Sequence, residues 1–171
     1  MAIRVSIDLG YEFAVKAPAD EVFALLADVP RSVSHFPKVE RLTDLGDGAY
    51  KWEMQKVGTP QVHIQTVYAC KYVSDAAQGT VVWTPVRGVG NAVVSGHWKL
   101  AARRASAKAN AKANAKAKAE ATDIELAIQG TIELPLPGLM KMVVAPIVES
   151  EFEKLVDQYI DNLIRAFGGE V

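Results

Sequence analysis

The chain has 171 residues, half of them hydrophobic, and a formal net charge of −1, so it can bury a sizeable core but offers no overall basic field for nucleic acid. A lone cysteine, Cys70, rules out an internal disulfide, and no run of eighteen apolar residues exists to span a membrane. Arg4 and Asp8 interrupt the first ten residues, so no secretory leader is read there, and a single soluble, cytoplasmic domain over residues 1–171 is expected.

Residues 3–16 alternate strictly. Ile3, Val5, Ile7, Leu9, Tyr11, Phe13 and Val15 share one face, and Arg4, Ser6, Asp8, Glu12 and Lys16 the other. A period of two describes a long strand with one buried side. "APADEVFALLADVP" then predicts a helix opened by Pro18, with Asp20 and Glu21 at its positive end and Val22, Leu25, Leu26 and Val29 facing inward. Pro30 is expected to end it, and "RSVSHFPKV" to form a short irregular or helical connection.

A series of strands follows, punctuated by "GDG" (46–48), "GTP" (58–60), "DAAQG" (75–79) and "RGVGN" (87–91). Tyr50, Trp52 and Met54 share one parity. Val62 through Tyr72 reads as one strand presenting Ile64, Tyr68, Cys70 and Tyr72; Val81 with Trp83, and Val94, Gly96, Trp98 and Leu100, continue the pattern. Ile124, Leu126, Ile128 and Ile132 restore it near the end of the series.

"ASAKANAKANAKAKAEA" (105–121) stands apart. From Arg103 to Ala121 six basic residues face only Glu120, an excess of 6 − 1 = +5. The segment lies between two strands, carries no apolar stripe, and is expected to be a solvated hairpin-tip insertion over residues 101–121. Lengthening such a loop costs little, about 0.6 kcal/mol per doubling.

"LPLPG" then breaks the sheet. Over residues 139–167 Val148, Phe152, Leu155, Val156, Tyr159, Ile160, Leu163 and Phe167 fall on one apolar arc, which predicts a long helix that Pro146 kinks or divides. The expected class is α+β: a curved antiparallel sheet of about six to seven strands gripping one long C-terminal helix, with one or two short helices after the first strand.

Residues 15–52, "VKAPADEVFALLADVPRSVSHFPKVERLTDLGDGAYKW", and the closing helix up to Phe167 resemble the START-like, helix-grip (SRPBCC) superfamily of polyketide cyclases/dehydrases and lipid-transfer domains. The resemblance covers nearly the whole chain except the Ala/Lys run. It implies a hydrophobic cavity between sheet and long helix, shared across that group more widely than any one reaction.

Within that frame Tyr50, Trp52, Met54, Tyr68, Tyr72, Trp83 and Trp98 on the sheet, with Phe152 and Tyr159 on the helix, are the expected ligand-binding residues. Each ring taken singly has core packing as its alternative role. No Asp, Glu, Lys or Arg shares the inward parity of the clear strands. Candidate proton-transfer groups are Glu149, on the apolar arc, together with Tyr68, Tyr72 and His35. The alternatives are a helix-start role for Glu149 beside Pro146 and an exposed loop position for His35. His63 and His97 fall on outward parities, no metal-ligand spacing occurs, and neither metal nor cofactor is expected. "RGVGN" lacks the third glycine of a nucleotide loop and sits between strands.

Three functions follow as expectations. The first is a carrier or sensor of a small hydrophobic molecule (a lipid, quinone or polyketide-like ring system). The second is a polyketide cyclase/dehydrase-type enzyme. The third is an interaction module using the basic hairpin tip, with transient membrane contact as one form of it.

Overall fold

The computed structural model describes residues 3–58, 63–103 and 121–171, with backbone alone for Val57, Gly58, His63, Ile64 and Arg103. Of the expected insertion over residues 101–121, residues 101–103 and Ala121 are strand residues and the rest lies outside the described residues, as does the side chain of His63.

The chain opens with β1 (Ile3–Val15), followed by α1 (Ala19–Ala27) and α2 (Val29–Val33). The strands β2 (Val39–Gly46), β3 (Ala49–Met54), β4 (Val57–Gly58), β5 (His63–Ile64), β6 (Val67–Asp75), β7 (Thr80–Val86), β8 (Ala92–Arg103) and β9 (Ala121–Leu134) come next. A short 3-10 turn, Gly138–Met140, leads into α3 (Lys141–Ala166). Seven strands form one antiparallel sheet in the order β1-β9-β8-β7-β6-β3-β2, while β4 and β5 pair apart from it. The expected architecture is therefore present. The expected strand over residues 62–72, however, is two pieces, β5 and β6, belonging to different sheets.

Register explains why one face is greasy. Val5 lies opposite Ile132, Leu9 opposite Ile128, Tyr11 opposite Leu126 and Phe13 opposite Ile124, so the apolar parities of β1 and β9 coincide. The row continues across the sheet, with Ile128 opposite Gly96, Gly96 opposite Trp83 and Trp83 opposite Tyr72.

Pro30 has the reverse of its expected role. The first helix ends at Ala27, and Asp28 leaves helical geometry to become the N-cap of α2, its Oδ1 accepting from the Arg31 amide. Pro30 then sits in the first turn of α2, where its missing N–H has no helical partner to lose. Of the connection expected to be irregular or helical, residues 31–33 are helical and residues 34–38 are turn and bend, and α2 buries Val29, Ser32 and Val33.

Helix α3 is a single element through Pro146, 26 residues and about 39 Å long. Its buried stripe is Val144, Val148, Phe152, Val156, Tyr159, Ile160 and Leu163. Leu139 of the 3-10 turn and Met142, Val143 and Ile147 on the outward side of the first turns of α3 are exposed, while Val144 and Val148 in the same turns are buried. At the opposite end the chain is tied back to β1, with the Lys16 amide donating to the Gly169 carbonyl and the Val171 amide to that of Ala14, both at 3.0 Å. Among the described residues no helix is long and apolar enough to cross a membrane.

Candidate functional site

Sheet, α1–α2 and α3 do not close completely on one another. They leave a void of about 50 Å³, lined from the sheet by Trp52, Tyr68, Tyr72, Trp83 and Trp98. Phe152 and Tyr159 of α3 and Ser32 and Phe36 from the α2 segment complete the aromatic and polar part of the wall. Leu26, Val29, Val33, Val94, Leu126 and Ile128 fill between them. A space of this size holds a few water molecules and is well short of the roughly 150 Å³ that accepts a benzene ring.

Ring geometry keeps the walls apart. Trp52 stacks on its cross-strand neighbour Tyr68, centroids 5.5 Å apart and planes 17° from parallel. Phe36 meets Trp52 edge-on at 5.4 Å and leans on Tyr159 at 4.9 Å. Tyr72 and Trp83 lie 5.7 Å apart, and Trp98 meets Tyr159 edge-on at 6.0 Å. Such pairs add roughly 0.5–1.5 kcal/mol each beyond the area they bury. Trp83 lies over Gly96 because there is no side chain there: a Cβ at that position would stand 2.6 Å from the indole and 2.2 Å from the Ala127 carbonyl oxygen.

The side-chain polar atoms of this wall are hydroxyls and the indole N–H groups of Trp52, Trp83 and Trp98. Trp52 Nε1 donates to Tyr72 Oη at 3.0 Å, leaving the Tyr72 proton uncommitted. Ser32 Oγ and Tyr159 Oη hydrogen-bond to each other, joining α2 to α3. Tyr68 is buried, and its hydroxyl makes no hydrogen bond among the described residues. It is also not sealed among protein atoms, since the enclosed side-chain polar atom without a partner is Tyr11 Oη.

Burial raises the pKa of all three cavity tyrosines. Desolvation dominates at Tyr68, with Tyr72, Cys70 and Tyr159 adding to it. At Tyr72 burial and Cys70 push up while the Trp52 hydrogen bond pulls down, and at Tyr159 burial outweighs the opposing Ser32 hydrogen bond. Tyr11, on β1 beneath α3, is raised by burial and then by the neighbouring Asp157 carboxylate. These phenols are neutral donors at ordinary pH and poor general bases.

The expected site residues fall into two groups. Trp52, Tyr68, Tyr72, Trp83, Trp98, Phe152 and Tyr159 all line the void. Tyr50 packs edge-on against Tyr72 at 6.0 Å and lines an outer groove between β2, β3 and the α2 segment. Met54 is buried on the same parity without reaching the void. Ser32 and Phe36 were not anticipated; the spacing Val29, Ser32, Val33, Phe36 is the helical signal that places them inward.

The proton-transfer candidates do not converge. Glu149 is exposed, a corrected placement: it lies at the edge of the apolar arc, next to buried Val148, and its carboxylate faces water rather than the apolar space. His35 is half-buried, with Nδ1 donating to the Arg31 carbonyl at 3.0 Å, and its own carbonyl accepts from Asn162 Nδ2 at 2.9 Å. It braces α2 against α3 outside the void. His97 lies on the outward parity, 2.8 Å from Glu125. Among the described residues no group of three or more His, Cys, Asp or Glu is placed to hold a metal ion.

No protein-family model matches the sequence, and no curated protein matches it at a significant level. Solved structures do. A START superfamily protein from Mycobacterium smegmatis superposes with a TM-score of 0.64 at 10% identity, over 94% of this chain and 96% of that one. The Zhui aromatase/cyclase from Streptomyces sp. R1128 gives 0.56 at 17% identity over 95% and 91%. Norcoclaurine synthase from Thalictrum flavum, in complex with dopamine and hydroxybenzaldehyde, gives 0.54 at 14% over 95% and 88%. The chain has the START-like, helix-grip fold.

Proposed function

We propose that this protein is a soluble, cytoplasmic carrier or sensor that binds a small hydrophobic molecule between its sheet and α3. The observation that carries the reading is the wall itself: eight aromatic side chains from the sheet, the α2 segment and α3 surround a space into which no charged side chain projects. A ligand held there gains ring contacts and loses no buried ion pair. The START superfamily neighbour supports the same reading at the level of fold.

The void of about 50 Å³ is smaller than any such guest, so entry requires the walls to part. The α2 segment and the N-terminal part of α3 are the elements to move: the first turns of α3 are held through Val144 and Val148, while Leu139 and Met142 beside them are almost fully exposed. Native mass spectrometry of protein purified without detergent tests the reading. A co-purifying hydrophobic adduct, released on unfolding and accompanied by a change in tryptophan emission, is the expected result. Failure to retain any hydrophobic guest, in cells or after titration, overturns it.

A cyclase/dehydrase-type enzyme is the second reading, supported by the likeness to an aromatase/cyclase. Its proton-transfer groups would be Tyr68 and Tyr72, because Glu149 and His35 stand away from the void. Turnover of a polyketide-like substrate that falls at least tenfold in Tyr72→Phe, with binding retained, would favour the enzyme over the carrier. The third reading, docking through the basic hairpin tip, rests on residues outside those described; deleting residues 105–119 should abolish docking while sparing the cavity.

A further inference from the structure

We infer that the cavity selects a neutral, planar ligand bearing a carbonyl oxygen, and discriminates against both the corresponding hydrocarbon and a carboxylate. The inference rests on the ligand-binding reading above and sharpens it. Three hydroxyl protons are available at the wall. Tyr72 accepts from Trp52 and has its own proton left to give. The Ser32–Tyr159 pair uses one proton between two hydroxyls, leaving the other. Tyr68 commits none among the described residues. Donors are therefore in excess, and the lining side chains include neither a carboxylate nor an amide that would need a donor from the ligand.

Each class of guest meets this wall differently. A hydrocarbon fills the volume but leaves the hydroxyls without partners, and a buried polar group so stranded is costly. A carboxylate would accept from the same hydroxyls, yet no Lys, Arg or His lines the void to neutralise it. A ketone or quinone oxygen accepts one or two of these protons and remains uncharged, while its flat ring meets an aromatic wall that includes Trp52, Trp83 and Phe36.

Three probes on one ring skeleton are compared: fluorene, 9-fluorenone and fluorene-9-carboxylate. All exceed the void; fluorene and 9-fluorenone differ by a single in-plane oxygen, so the work of opening the walls nearly cancels between those two, while the bulkier carboxylate tests the charge. Equilibrium dialysis against the full chain should show 9-fluorenone binding about tenfold tighter than fluorene, with the carboxylate weakest. The carbonyl stretch of bound fluorenone should move to lower frequency than in hexane. Tyr68→Phe and Tyr72→Phe, each removing one oxygen atom, should shrink the preference over fluorene and return the stretch toward its hexane value. Equal binding of fluorene and fluorenone, an unshifted stretch, or tightest binding by the carboxylate would overturn the inference while leaving the carrier reading standing. Retention of none of the three would overturn both.

Discussion

Ser32 and Tyr159, 127 positions apart, join hydroxyl to hydroxyl where α2 meets α3. Both are buried, so each is the other's substitute for water. Ser32→Ala strands the Tyr159 hydroxyl and should lower stability by about 1–3 kcal/mol, whereas removing both partners costs less than the two single changes added together. A chain of this size loses roughly 2–4 °C in Tm per kcal/mol. Thermal unfolding of Ser32→Ala, Tyr159→Phe and the double variant checks it: strictly additive losses would mean the hydroxyls are not coupled.

Gly96 is held small by its neighbours. It faces Trp83 directly across the β7–β8 pair, and its hypothetical Cβ collides with both that indole and the Ala127 carbonyl. The carbonyl belongs to backbone in the middle of β9, so it cannot simply rotate away. Gly96→Ala should therefore cost about 1–3 kcal/mol by overpacking and reorient the Trp83 ring. Near-ultraviolet circular dichroism and urea unfolding report the two effects together. Unchanged spectra and midpoint would show that Trp83 does not depend on this vacancy.

The sheet side of the cavity was legible because strand parity is a rigid rule. Once Trp52, Trp83 and Trp98 share a face with buried Val81 and Leu126, their direction follows from the pleat. The helical side was less legible, since a hundred-degree period says which residues share an arc but not how far the covering surface extends. Glu149 lies at the edge of the arc that holds Phe152 and Val156, and the covering surface stops short of it while burying its neighbour Val148. Ser32 escaped notice for a different reason. Pro30 suggested a stop, while Asp28 as a cap converts the same proline into a start, and proline's missing N–H fits both roles. The break between β5 and β6 had no local signal at all. Residues 62–72 keep a period of two throughout, and only pairing partners distinguish one sheet from another.

Cys70 sits fully buried between Tyr50 and Pro85 in register, and its thiol donates to the Val94 carbonyl at 3.2 Å. Burial pushes its pKa up to about 12, so almost no thiolate exists at neutral or mildly alkaline pH. In native protein an aromatic disulfide reagent at pH 8 should react orders of magnitude more slowly than in denaturant. The rate should track global opening rather than the reagent's size. Rapid labelling of the folded protein would mean that β6 is accessible from the cavity side.

Tyr68, Tyr72 and Tyr159 supply the last prediction, an alkaline limit to stability. Burial raises each above the ordinary phenol value of 10.0, so the folded chain keeps these protons after the unfolded chain has begun to release them. Below pH 10 both states are protonated and the burial of neutral phenols contributes in full. Above pH 10 the unfolded state binds fewer protons, which makes stability fall with rising pH. The tyrosinate absorbance of a protein with five tyrosines should then rise in two stages on base titration. Tyr50, partly exposed though itself raised by burial and by Asp44 and Asp28, ionises without unfolding, and the buried group follows in a steep step that coincides with loss of the near-ultraviolet circular dichroism signal. Mutating Ser32 to alanine removes a hydrogen bond that opposes the effect of burial on Tyr159, and the destabilised variant should reach that step at lower pH. Smooth ionisation of all five near pH 10, with the fold intact, would mean that the phenols of the cavity wall are open to solvent.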